Sequence, residues 1–261
     1  MKKIIYLSYL LLMLAFLYLP ILILTVYSFT DSVMIGSIRK FSLKNYHTLF
    51  YNSELRGMVV GTLAVALVVA CLSTVLGTFG AIAAFYSSRR KRRYLELMNN
   101  IPVINADIVT GFSVCVLLIV FLRMDKESYL PLIIGLSTLC TPFVYLSVYP
   151  RLKQMDGQTY EAALDLGCPP WKAVFVIILP QIVSGIISGF MMSITLTLDD
   201  YFISTYTKPA TFDTISTYVV NATKGAMTEI KTALWALSAL MFLIVLVIIL
   251  LLGRSKQEKS F

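Results

Sequence analysis

The sequence predicts an all-α integral membrane protein with six transmembrane helices. Of its 261 residues 58% are hydrophobic and 14% charged, against roughly 25% charged residues in a soluble domain. Apolar stretches free of charge recur along the chain, and Lys and Arg gather in alternate connections between them. A spanning helix needs about 20 mostly apolar residues, because unpaired backbone groups are not tolerated in hydrocarbon. Such stretches run over 4–30, 57–88, 128–150, 173–198 and 232–253, and a further one over 94–122 is interrupted by Asp107. They define a transmembrane domain over 1–253 and a tail over 254–261.

The first span follows Lys2 and Lys3, as a secretory signal would, but it stays free of charge from Ile4 to Thr30. A signal's apolar core ends after about 7–15 residues at a small-residue cleavage site, so an uncleaved helix is expected. The second span carries Gly57, Gly61, Gly77 and Gly80 with Ala64, Ala66, Ala70, Ser73, Ala81, Ala83 and Ala84. Small side chains let helix backbones approach closely, which places this helix inside the bundle. The third span contains Pro102, which lacks an N–H, and Asn99, Asn100, Asn105 and Asp107. Polar groups are tolerated at depth where they line a cavity or cap a helix. Counted as straight helix from Arg93, Asp107 lies about 20 Å up, near the midplane or beyond it. Two readings stay open: Asp107 starts a helix after a Pro102 kink, or it lines a water-filled substrate path.

The fourth span leads into a basic loop over 151–172. Here Thr159 is a candidate N-cap, Glu161 falls in a first turn where the helix dipole favours a carboxylate, and Gly167 suits a left-handed helix end. The result is a stub of about seven residues, and isolated helices so short are marginal in water. It therefore needs a surface to pack against, and Ala162, Ala163 and Leu166 offer a shallow apolar face. Pro169-Pro170-Trp171 then restart the chain toward the fifth span.

The fifth span ends in Leu198-Asp199-Asp200-Tyr201, about 28 Å of helix beyond Pro180. Adjacent carboxylates repel unless solvated or paired with a cation, so they are either an ordinary solvated helix end or a lure for a polyvalent cation. The segment from Tyr201 to Lys231 reads as an outer loop with a short surface helix over Asp213–Asn221. Asp31–Arg56 is the first outer loop and a second candidate contact surface. Residues 241–252 are nearly all Leu, Ile and Val, which turns the sixth span toward lipid.

Orientation follows from Lys and Arg in short loops rather than from the net charge of +8. Lys2, Lys3, Arg89, Arg90, Lys91, Arg92, Arg93, Arg151, Lys153, Lys172, Arg254, Lys256 and Lys259 fall on one side, thirteen of the 22 basic residues. That side is cytoplasmic, with both termini on it. The cluster Arg89–Arg93 reads as an anchor on anionic lipid rather than a nucleic-acid surface. Cys71, Cys115, Cys140 and Cys168 lack the paired spacing of a metal site and read as free buried thiols. The single histidine, His47, has no partners in the sequence around it. No phosphate-binding loop of the G-x-x-x-x-G-K-[ST] type occurs, so this chain is not expected to hydrolyse ATP.

Residues 161–180 contain Glu161-Ala162-Ala163, three residues, Gly167, nine residues, and Ile177-Ile178-Leu179-Pro180. This resembles the EAA loop of ABC-importer inner-membrane permeases in the binding-protein-dependent transport family, and every fixed position is met. Shorter strings, among them Tyr18-Leu19-Pro20-Ile21, Ala106-Asp107-Ile108-Val109, Tyr149-Pro150-Arg151-Leu152 and Leu196-Thr197-Leu198-Asp199-Asp200, resemble the PotC-type subunit of spermidine/putrescine importers. The resemblance implies a MetI-like type I importer fold and a cytoplasmic coupling helix built on Glu161, Ala162, Ala163, Leu166 and Gly167. It implies no cofactor in this chain, with ATP and Mg held by partner ATPase subunits. It also implies a second permease of the PotB type and an extracytoplasmic PotD-like binding protein.

A path for linear polycations wants spaced carboxylates and aromatic faces, and Tyr18, Asp107, Asp199, Asp200 and Tyr201 supply them. A permease for another solute, such as ferric iron, phosphonate or thiamine, would share the loop and the spans. An anion path, however, would carry basic residues within the membrane. A channel or membrane-embedded enzyme would need a selectivity ring or a catalytic cluster, and would leave the coupling motif unexplained.

Overall fold

The computed structural model describes residues 2–30, 40–155, 157–223, 233–240 and 242–243. Among them four helices are long and apolar enough to cross a membrane, or five if one bent pair counts as a single span. The helices are α1 (Lys2–Ser28), α2 (Lys44–Tyr51), α3 (Ser53–Phe85), α4 (Arg89–Ile104), α5 (Asp107–Cys115), α6 (Leu130–Gln154), α7 (Gly157–Asp165), α8 (Pro170–Ala173), α9 (Leu179–Asp199), α10 (Phe202–Thr207) and α11 (Ile215–Thr223). Extended pairing among the described residues is limited to an isolated bridge between Thr30 and Phe41. Most of the expected sixth span, 244–253, lies outside the described residues. Its helical start at 233–240 is largely buried, including Ala233, Leu234, Trp235 and Leu237. The peripheral position read from 241–252 does not extend to this part.

The chain divides into two compact units, Met1–Gly57 with Val219–Phe261, and Met58–Tyr218. In the first, the amide of Asn45 on α2 donates to the carbonyls of Ser28 (3.1 Å) and Thr30 (3.0 Å). Buried polar groups must find partners of this kind, and here they fix the turn that leaves α1. Phe29 stacks on Phe41 and tilts against Tyr46, and Tyr27 meets Trp235 edge-on at 5.6 Å. His47 is exposed but, contrary to the expectation of no partner nearby, stacks on Tyr51 one helical turn on.

The second unit is organised around α6, whose most extensive partner is α9. Val144 is fully buried between two glycines. A Cβ placed on Gly77 of α3 would lie 2.6 Å from the Val144 Cβ and 2.9 Å from the Thr141 carbonyl, and one on Gly189 of α9 would lie 3.0 Å from Val144 Cγ1. The small-residue face read from the second span is therefore used at Gly77, Ala81 and Ala84. Gly57 and Gly80 face open space. Cys140 of α6 adds a weak Sγ bond to the Ser193 carbonyl and shares another with Thr197 on α9. All four cysteines are free thiols, of which only Cys140 is buried.

The expected third span is α4 followed by α5, bent by 105°. The break falls at Asn105 and Ala106, both extended, rather than at Pro102, which lies inside α4. Two consecutive extended residues interrupt the i→i−4 ladder and turn the axis, so a straight-helix count from Arg93 to Asp107 overstates the rise. Helix α5 continues into a π-helical turn at Val116–Phe121, and another π-helical turn, Val174–Ile178, joins α8 to α9. The second immediately precedes Pro180, whose missing N–H leaves the Val176 carbonyl without its usual partner.

Gly77→Ala is expected to lower thermal stability in detergent by about 1–3 kcal/mol, the range for overpacking a tight contact. Gly80→Ala, three residues away, is expected to be neutral or to stabilise by up to about 1 kcal/mol through helix propensity. Comparing the two melting curves checks whether close approach to Val144, rather than small size as such, is what α3 requires.

Candidate functional site

Two places hold the residues singled out by sequence, Tyr18 apart: the connection between α6 and α9, and the far end of α9 where α5 and α10 meet it.

The first is built by α7. Its helix begins at Gly157, so Thr159 lies within it and is not its N-cap. Its end is set by Gly167, whose φ of +80° is left-handed. The Gly167 N–H donates to the Leu164 carbonyl at 2.9 Å and the Cys168 N–H to the Ala163 carbonyl at 3.0 Å, the paired closure of a Schellman end. Leu166, the last residue before the cap, is 89% exposed, and Trp171 is 68% exposed. Glu161 and Ala162 are exposed and Ala163 is half-buried. On the opposite side Tyr160 packs against the apolar core around Val144 and Tyr149. The helix is thus anchored on one side and presents Ala162, Leu166 and Glu161 outward. Four residues on, Pro170 opens α8, and Ile178 is buried in the same core.

The second place is made by a wedge. Ile203 of α10 is buried against Gly111 of α5, where a Cβ would lie 3.1 Å from the Ile203 amide nitrogen, and against Gly135 of α6. This close fit brings the end of α9 to the start of α5. Asp199 and Asp200, read as a pair, take different roles. Asp199 ends α9 and is exposed, while Asp200 is 8% exposed and turns back to accept the N–H groups of Ser204 (2.8 Å) and Ile203 (3.4 Å). Its own carbonyl accepts the Ser216 hydroxyl from α11.

Asp107, in the first turn of α5 and exposed, lies close enough for its charge to act on Asp200. Burial pushes the Asp200 carboxyl, just past the end of α9, above the ordinary carboxylate range. The Ser204 and Ile203 amides pull it back, and the charge of Asp107 adds to the rise. Asn105 reaches over the corner to the Thr110 hydroxyl at 3.2 Å. Asp107 therefore has the helix-start position of the first reading. Tyr201 is half-buried, edge-on to Phe202. Tyr18 is exposed on α1 in the other unit.

Sequence reasoning missed several participants. Ser216 and Thr217 belong to α11, which is not the surface helix expected over Asp213–Asn221. Thr214 and Thr217 are buried, and the Ile215 N–H donates to Thr62 on α3 at 3.2 Å. Arg92 was hidden in its basic cluster but donates to the Phe85 carbonyl at 2.9 Å and the Ala84 carbonyl at 3.3 Å. Arg89, Arg90, Lys91 and Arg93 are exposed. Among the described residues no group of three or more His, Cys, Asp or Glu could hold a metal ion.

Residues 77–257 match the family described as the binding-protein-dependent transport system inner membrane component. The chain is 33% identical over 199 residues to the putrescine transport system permease protein PotI of Escherichia coli, covering 73% of this chain and 70% of that one. It is 28% identical over 245 residues to the spermidine/putrescine transport system permease protein PotC of Escherichia coli, covering 94% and 92%, and to that of Haemophilus influenzae, covering 94% of each. A crystal structure of an amino acid ABC transporter with histidines superposes with a TM-score of 0.57 at 15% identity, covering 80% of this chain and 97% of that one. That last likeness concerns the fold.

Gly167→Ala forces a side chain into the left-handed region, which disfavours the cap by about 1–2 kcal/mol. Faster hydrogen exchange of the α7 amides, with α6 and α9 unchanged, is the expected outcome.

Proposed function

The chain belongs to the family of binding-protein-dependent transport system inner-membrane components, and from that premise we propose that it is half of an ATP-driven path for polyamines such as spermidine or putrescine. It is a multi-pass membrane transport subunit of an ABC importer. The observation that carries the proposed cargo is the close packing of α5 on α10 at Gly111 and Ile203, which puts Asp107 and the buried Asp200 on neighbouring elements. A buried carboxylate beside a second one is destabilised until a cation balances them. A linear polycation does this without a rigid cage, and Tyr201 adds an aromatic face that can receive an ammonium group. Asp199, exposed one residue earlier, extends the acidic surface. Tyr18 joins the proposal by the chemistry of its side chain alone. The polyamine permeases among its relatives support the same cargo.

In this reading α7 lies on the cytoplasmic side, both termini share that side, and the outward face of Ala162 and Leu166 docks into an ATPase subunit. ATP and Mg are held there, and this chain contributes no cofactor or catalytic group. A PotB-type permease supplies the other half of the path, and a PotD-like binding protein selects the substrate and delivers it to the outer end. Hydrolysis moves α7 and switches the bundle between two packings. Because selection happens on the binding protein, weak attraction in the path is sufficient and release is favoured.

Uptake of labelled spermidine and putrescine by the assembled importer in proteoliposomes tests this. Asp107→Asn is expected to reduce uptake about three- to ten-fold, as for loss of one partly solvated charge contact near 1 kcal/mol. Polyamine uptake unchanged in a correctly assembled variant would exclude the carboxylate pair as the cargo's contact. Leu166→Asp is expected to abolish co-purification of the ATPase while leaving the permease folded.

A further inference from the structure

One group of contacts at the foot of α3 is used neither by the docking face of α7 nor by the carboxylates. Tyr86 directly follows Phe85, the last residue of α3, and its ring lies 4.8 Å from that of Tyr160 on α7, tilted by 44°. Glu161 is close enough for its charge to act on Tyr86. From the other direction Arg92 of α4 donates to the carbonyls of Phe85 and Ala84, so a guanidinium closes the helix whose end the tyrosine extends.

We infer that the Tyr86–Tyr160 ring pair is the joint by which displacement of α7 reaches α3 and, through Arg92, α4 and the corner that carries Asp107. The inference rests on the reading of α7 as the ATPase-docking element. Covalent continuity already ties α7 to α6 and to α8–α9, and these move with it. Helix α3 meets α6 at Gly77, Ala81 and Ala84, a smooth face over which helices slide with small shear. A tilted ring pair is directional, because aromatic rings favour particular mutual orientations. Tyr86 stands about 13 Å along the axis from Gly77, so a push there acts on α3 with leverage about the close contact at Val144. Arg92 then passes the motion to α4, which ends at Ile104 immediately before Asn105 and Ala106.

The test uses the assembled importer in proteoliposomes, with ATP hydrolysis and polyamine uptake measured together. Tyr160→Ala is expected to retain the bound ATPase and its basal hydrolysis, and to lower uptake per ATP by about two- to ten-fold, the range set by one aromatic pair. Tyr160→Phe, which keeps the ring, restores coupling. Tyr86→Ala reproduces the loss, and the double variant loses no more than either single one. An environment-sensitive fluorophore on Ile104→Cys, in an otherwise cysteine-free chain, reads the corner directly. Its ATP-dependent change is expected in the parent and in Tyr160→Phe, and is diminished in Tyr160→Ala.

Full coupling with an undiminished signal in both alanine variants overturns the joint. So do additive losses in the double variant, because they place the two rings in separate roles. Should Tyr160→Ala prevent assembly, Tyr160→Leu retains apolar bulk without a ring, and the same outcomes apply. Failure of the docking reading is seen elsewhere, as an ATPase that still binds and drives uptake by Leu166→Asp, and it removes the joint with it.

Discussion

The contact on which the second unit depends is that of Val144 with two helices that lack a Cβ at the crossing point. Gly77 lets α3 approach α6 to a distance at which a Cβ would clash, and Gly189 lets α9 approach to one at which a Cβ would be tight. Within a membrane this is the main form of helix cohesion available, since lipid tails solvate apolar side chains as well as another helix does and only close packing or polar contact favours association. The weak thiol contacts of Cys140 to Ser193 and Thr197 act along the same seam. With α6 and α9 held together, the segment joining them is not a free loop. It sits on a two-helix stem, where Tyr160 packs against the core that α6 and α9 share.

That stem links the two functional places mechanically. Helix α9 has 21 residues, about 31 Å of rise, with α7 and α8 before one end and Asp200 just past the other. Ile203 keys the far end between α5 and α6 in the same manner as Val144 keys the middle, through glycines on the facing helices. A displacement of α7 along or across the stem is therefore directed toward the helix end that Asp200 follows. The π-helical turn at Val174–Ile178 is the one place on the path where the backbone ladder is already shifted, which makes it the natural point for bending.

Much of this was legible in the sequence. Charge-free length revealed the spans, because hydrocarbon imposes that requirement on every residue of a span. Gly167 revealed the end of α7, because a left-handed cap narrows the choice of residue. The spacing from Glu161 to Pro180 pointed to the family. What was not legible depended on which neighbours meet. Pro102 suggested the break, yet a missing N–H only weakens a helix, and the corner formed three residues later where Asn105 could bond to Thr110. Asp199 and Asp200 look equivalent as neighbours, but a helix end rotates consecutive side chains to different sides, and only Asp200 finds the amides of α10. Arg92 is indistinguishable from Arg90 by composition. Only proximity to the end of α3 separates a cap from a solvated charge.

If the proposed polyamine path is correct, the separation of Asp199 from Asp200 bears on how it would attract a polycation without trapping it. Two solvated carboxylates would be neutralised by salt and would discriminate little. Two fully buried ones would hold a cation tightly, or take up a proton and cease to attract. The arrangement here lies between these limits. The Asp200 carboxyl is held by the backbone amides of Ile203 and Ser204, while Asp107 is exposed in the first turn of α5. The amides fix one carboxylate, so the distance between the charges is set by where α5 stands. Any packing change that moves α5 away from α10 weakens the attraction, and a pump gains direction when affinity falls as the outer end closes. Placing one partner of the pair on the bent helix and the other on the stem is what makes such a change possible.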